Sequence, residues 1–345
     1  MTVYIGMFVI QAVIWYCSRK WNKPYLWLWL SFGLLFVMSS FRSMNIGTDY
    51  AEYVSIYDLI AGGTNYDMEP GYVFLNSMMS LFTSHYCGLA IGVNLVLMLS
   101  LAFFITQHVP QQYWQLCVMI FSANPYMYLQ STFNILRQAC GIGILLIASH
   151  FFLKKDWKKG VLFVILASLL HKASIIGLVI PLFWLIKWKK KYWYAAILSC
   201  FFVSFLLGDT LISFFFNVID FGGYAGYEAS ALNHPIYILG IAVVALFLTD
   251  NRDKWAITEV EQKFYDLYLF SLCFLMFAVK NDMIYRFYLI FAFICLPTVA
   301  IIWRSAGKLV RLGYVTYYSA FYMGYILLMY LSKDTFYIPF RFCFG

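Results

Sequence analysis

Charge is what this sequence has least of. Only 12% of its 345 residues are Asp, Glu, Lys or Arg, against 63% hydrophobic and 21% aromatic. So few charges cannot cover a soluble surface, and no stretch is long and polar enough to form a separate soluble domain. One membrane domain over 1–345 is therefore expected. The eight cysteines include no C-x-x-C pair and no zinc spacing, and most fall inside apolar runs. They read as packing residues, with neither a disulfide nor a metal site indicated. No charge precedes the first apolar run, Val3 to Cys17, whereas Arg19, Lys20 and Lys23 follow it. That is the reverse of a secretory signal, and it predicts an uncleaved first helix with its N-terminus outside. An internal repeat, the mark of many transporters, is also missing.

What is present is a series of apolar runs, each about long enough to span a bilayer core as a helix. The expected fold is an all-α polytopic integral membrane protein with about 10–12 membrane helices. Basic clusters mark the cytoplasmic ends: RKWNK (19–23), KKDWKK (154–159), KWKKK (187–191), Arg252 to Lys263, and Arg304 to Arg311. The net charge of +8 collects there, as a membrane protein requires, and does not point to nucleic acid. Spans are predicted near 2–17, 24–41, 88–106, 113–131, 138–153, 192–207, 235–249, 264–280, 284–303 and 312–331. Outer loops are expected at 42–87, with interfacial helices, and at 208–234.

Two segments resist simple crossing. EPGYVFLNSMMSLF (69–82) is too short to span, and reads as an external interfacial or re-entrant helix begun by Pro70. The segment 160–186 lies between two lysine clusters and should enter, turn near His171–Lys172 and return as two short helices. His171 then lies about 11 residues, or roughly 17 Å of helix, from the basic edge, near mid-membrane depth. Charge at that depth normally faces a cavity and has a function.

The basic clusters hold 17 of the 24 Lys and Arg residues, four of them arginine. Of the seven that remain for the outer side, four are arginines: Arg42, Arg137, Arg286 and Arg341. Arginine suits forked binding of phosphate, so an external anion site is expected. Asn134, Arg137 and Gln138 interrupt two apolar runs and form a polar face a turn apart, beyond what a snorkelling arginine needs. In FRSMNIGTDYAEY (41–53), Asp49 and Glu52 have capping-box spacing, and Tyr50, Tyr53 and Tyr57 share a face. Asp49 would cap the helix or hold Arg42 or a sugar hydroxyl, and the tyrosines would stack on sugars. Glu69 would cap the next helix or, with a pKa raised by burial, act as a base. In NDMIYR (281–286), an Asp282–Arg286 pair and a ligand role are open alternatives, and FGGYAGYEAS (221–230) has the glycines of a mobile loop with tyrosines for carbohydrate, or is a flexible linker. GLAIG (88–92) is small-residue packing.

The order FR-x4-GTD-x3-Y, E-P-G-Y-x3-N, R-Q opening a helix, then H-K-A-S resembles the EpsG-type family of Wzy-like polysaccharide polymerases. The matching residues are Arg42, Gly47, Thr48, Asp49, Tyr53, Glu69, Gly71, Tyr72, Asn76, Arg137, Gln138, His171 and Lys172, with Tyr285–Arg286 the one match in the second half. The resemblance implies a GT-C-like glycosyltransferase without metal or cofactor. It would join undecaprenyl-pyrophosphate-linked repeat units into O-antigen, capsule or exopolysaccharide on the outer face of the bacterial inner membrane, with a chain-length regulator as a further partner. On that reading His171, Glu69 and Asp49 are the candidate bases. Arg42, Tyr53, Tyr72, Asn76, Arg137, Gln138, Lys172 and Arg286 would bind substrate. A lipid-linked oligosaccharide flippase and a membrane O-acyltransferase are the alternatives.

Overall fold

The computed structural model describes residues 1–64, 66–218, 235–332 and 337–344. Helices dominate, and the described residues hold no strand, only one antiparallel bridge between Arg42 and Phe342. The chain packs as two compact units, one of Met1–Pro181 with Ala306–Gly345, the other of Leu182–Ser305.

In the first unit lie α1 (Thr2–Lys20), α2 (Pro24–Ser40), α3 (Tyr50–Ala61), α4 (Pro70–Ser80), α5 (Cys87–His108), α6 (Trp114–Ala123), α7 (Leu136–Leu153), α8 (Trp157–Leu170) and most of the segment continuing into α9 (Val179–Leu185). The second unit carries α10 (Lys190–Val218), α11 (Pro235–Trp255), α12 (Glu259–Ala278), α13 (Asp282–Ile294) and α14 (Thr298–Ser305), while α15 (Lys308–Leu331) returns to the first. Among the described residues, α1, α5, α7, α10 and α11 are long and apolar enough to cross a membrane. The bent pair α13–α14, broken by 59° around Pro297, would be a sixth crossing. Outward-facing apolar residues on α10 and α11, such as Phe202, Leu206, Ile236 and Val243, suit lipid contact. This is an all-α polytopic membrane protein.

Several expected spans take a different form. The 113–131 run is not one helix: α6 stops at Asn124, which the following Pro125 holds extended, and a π-helix follows over Tyr126–Asn134. Asn124 Oδ1 accepts from Tyr126 N and Met127 N, restarting the chain. The outer loop expected from residue 208 is helical up to Val218, and Asp209 there pairs with Lys280 at 2.9 Å. FGGYAGYEAS and the Asp282 side chain lie outside the described residues.

Two short segments begin and turn at the residues expected. Pro70 opens α4 at its first turn, and Phe74, Leu81 and Phe82 stay exposed, as on an interfacial helix. The chain does turn at His171: α8 ends there, a 3-10 stretch over Lys172–Leu178 follows, and a Cβ on Gly177 would lie 3.3 Å from Val164. Gly88 and Gly92 admit Tyr57 and Met79, so GLAIG packs α5 against α3 and α4.

Candidate functional site

Three sequence-distant segments of the first unit meet at the N-terminus of α7. Ile135 leaves helical geometry and caps α7, which puts Arg137 in its first turn with no side-chain cap on the free N–H groups. A cation there is opposed by the helix dipole and requires an anion nearby. Glu69 supplies one: Arg137 Nη1 donates to Glu69 Oε2 at 2.8 Å. The other carboxylate oxygen accepts from Lys172 N at 3.3 Å and lies 3.7 Å from His171 Nδ1, beyond hydrogen-bond length. Tyr53 offers its ring to the guanidinium at 5.8 Å, and packs on Tyr72 at 6.2 Å.

Glycines make this convergence possible. A Cβ on Gly71 would sit 2.8 Å from Leu169 O, so E-P-G-Y can press on the end of α8 only with glycine. Gly141, one turn after Arg137, admits Ser174 Oγ and His171 Cβ in the same way. Sequence reasoning assigns Ser174 no role, and its signal is the glycine opposite it.

The site leaves polar atoms unmet. Tyr72 OH, both amide atoms of Asn76, Arg137 Nε, His171 Nδ1 and Ser174 Oγ are buried without a hydrogen-bond partner. Tyr72 and Asn76 are themselves almost fully buried, at 0% and 1% exposure, one turn apart on α4. Each buried atom left unpaired costs about 1–3 kcal/mol.

Glu69 differs from the expected high-pKa base. Burial pushes its carboxyl up, but the facing His171 ring and the Arg137 charge outweigh burial and hold it well below the usual carboxylate range. Nor does it cap α4, because its side chain turns to Arg137. Asp49 occupies the N-cap of α3 without a capping bond, since its backbone is helical and not extended, and no capping box with Glu52 forms. Tyr50 and Tyr57 are fully buried, and Tyr57 OH donates to Thr83 O at 2.7 Å, so neither is a sugar platform.

Arg42 differs most from its expected anion-binding role. It is fully buried, donating to Ile46 O at 3.1 Å, Phe133 O at 3.1 Å and Ser39 O, with Tyr50 and Phe133 over its guanidinium. Its fork is aimed at backbone carbonyls, which fixes the loop before α3. Asn134 belongs to the same clamp: its Oδ1 accepts from Thr48 N at 2.8 Å, and its Nδ2 meets Gln130 and Tyr337. Gly47 completes it with a φ of +113° that side chains rarely adopt, where a Cβ would lie 2.5 Å from Phe133 O. Gln138 is buried on α7 beside Arg137, whereas Arg286 stands on α13 in the second unit.

Fold and geometry together define a polytopic helical membrane protein in which Arg137, Glu69 and His171 meet where α4, α7 and the turn at His171 converge. The profile of the EpsG family matches residues 25–342, and the chain belongs to that family. No curated protein and no solved structure matches the chain.

Proposed function

We propose that this chain is a polysaccharide polymerase that joins repeat units carried on undecaprenyl pyrophosphate, at the outer face of the bacterial inner membrane. Membership of the EpsG family supports the polymerase reading at family level. The observation that carries the site assignment is the Arg137–Glu69–His171 cluster at the open N-terminus of α7, surrounded by unpartnered polar atoms. A helix N-terminus with an arginine fork is a fitting cradle for a pyrophosphate.

In this reading the donor pyrophosphate docks on Arg137 and the first N–H groups of α7, with Lys172 as a further cation. The acceptor hydroxyl of the incoming repeat gives its proton to His171. Its oxygen bonds to the anomeric carbon as the carbon–phosphate-oxygen bond breaks, and undecaprenyl pyrophosphate leaves as an anion neutralised by Arg137. Glu69, whose pKa is too low for it to serve as the base, holds the imidazole and stabilises the imidazolium it becomes. The 3.7 Å separation would close in the loaded site, as catalytic contacts in empty sites commonly do. Of the residues expected to meet the sugars, Asp49 at the start of α3 keeps partial exposure, whereas Tyr53, Tyr72, Asn76 and Gln138 are buried and support the site from behind.

Deletion of the protein tests the class. Single lipid-linked repeats accumulating outside support a polymerase. Repeats trapped inside would assign a flippase, and full-length polymer lacking acyl groups an acyltransferase.

A further inference from the structure

The start of α5 and the C-terminal segment bring a second cluster together, made of residues other than those around Arg137. Backbone bonds sew that segment to the end of α2: Ser43 N donates to Arg341 O at 2.9 Å, and Cys343 N to Phe41 O at 2.8 Å, with the Arg42–Phe342 bridge between. This register sets Cys343 beside Cys87 and His85. One donor atom from each of the three lies within 4.8 Å of the others. Cys87 is buried, Cys343 half-buried and His85 exposed, so the cluster opens to solvent on one side.

We propose that His85, Cys87 and Cys343 form a binding site for a thiolate-seeking metal ion of the zinc class, which staples the C-terminal segment to the start of α5. Two sulfurs and an imidazole select zinc or copper(I) over calcium and magnesium, which take oxygen ligands. Zinc–sulfur bonds of about 2.3 Å in a tetrahedron set donors roughly 3.7 Å apart, so the three atoms need close by only about an ångström. Binding releases the two thiol protons to solvent as two metal–sulfur bonds form, and the imidazole gives the third. Water takes the fourth position on the exposed side. A disulfide would join the same sulfurs and leave His85, whose Nδ1 accepts from Cys87 N at 3.2 Å, outside the cluster. The site is independent of the polymerase reading.

The test uses the full-length protein in detergent, free of any affinity tag, reduced, stripped with chelator and dialysed against Zn2+. About one zinc per chain is expected by elemental mass spectrometry, and Co2+ in its place should give thiolate-to-cobalt absorption. C87S and C343S should lose both signals, while C200S should keep them. H85A, at an exposed position that tolerates truncation, should weaken Zn2+ binding by more than the roughly 10- to 100-fold cost of losing a ligand's own hydrogen-bond partner. Wild-type protein without stoichiometric zinc, or undiminished zinc in C87S and C343S, overturns the proposal. So does a Cys87–Cys343 disulfide in protein isolated without reductant.

Discussion

Arg137 Nη1 and Glu69 Oε2 lie 2.8 Å apart across 68 residues of sequence. A pyrophosphate docking as proposed must share or displace the carboxylate to reach the guanidinium. An anion competes better for a fork than for a point charge.

R137K should therefore lose roughly tenfold or more of polymer formation on lipid-linked repeats, although the charge is kept. Polymerisation by R137K at the wild-type rate and equal expression would reduce Arg137 to a structural partner of Glu69.

H171Q and E69Q should differ in kind. Loss of a general base costs about 10²- to 10⁴-fold in rate with donor binding intact, which is the expectation for H171Q. E69Q keeps the shape but not the charge that stabilises the imidazolium, and it also frees Arg137, so it should slow catalysis less while tightening the donor. H171Q retaining more than a tenth of the activity would remove His171 from the role of base.

Glu69 also gives stability a pH dependence. Its folded carboxyl titrates below the unfolded value of about 4.3, so its contribution is complete above that value and is lost as pH falls through the folded pKa. Below about pH 5, the thermal midpoint of the wild type in detergent should drop more steeply than that of E69Q. Parallel curves would show that the ion pair contributes nothing to folding.

Arg42 and Gly47 should be stability positions. R42A leaves buried carbonyls at Ser39, Ile46 and Phe133 unpaired, at a cost of about 1–3 kcal/mol each before relaxation. G47A forces a side chain into a positive φ against Phe133 O, on the order of 1–3 kcal/mol. G33A, with open space around it, is the matched control. Melting curves and yield should fall for the first two, with donor affinity unchanged in the folded fraction. A stable R42A with weakened donor binding would return Arg42 to the ligand site.

The fold-back at His171 predicts that cysteines placed at Lys155 and Lys189 label from one side, the cytoplasmic one by the charge rule. Labelling of either from outside would contradict that topology.

The sequence by itself determined the membrane class, the all-α architecture, the start of α4 at Pro70 and the turn at His171. These depend on local quantities: apolar run length, a missing proline N–H and a polar break inside an apolar segment. It also picked out Glu69, Arg137 and His171, which the fold brings together. Their relationships were decided only by tertiary packing. Arg42 and Arg137 look alike as lone arginines, yet carbonyls brought in from Phe133 and Ser39 make the first a clamp, whereas Glu69 and an uncapped helix end make the second a cationic site. Asn134 sits three residues from Arg137 and still turns to Thr48, 86 residues away. Glu69 is held ionised because Gly71 and Gly141 let three helix ends approach it, and Cys343 meets Cys87 only through a backbone register set at Phe41. A side chain's role follows from which partners reach it, and those partners arrive from distant parts of the chain, where no local pattern records them.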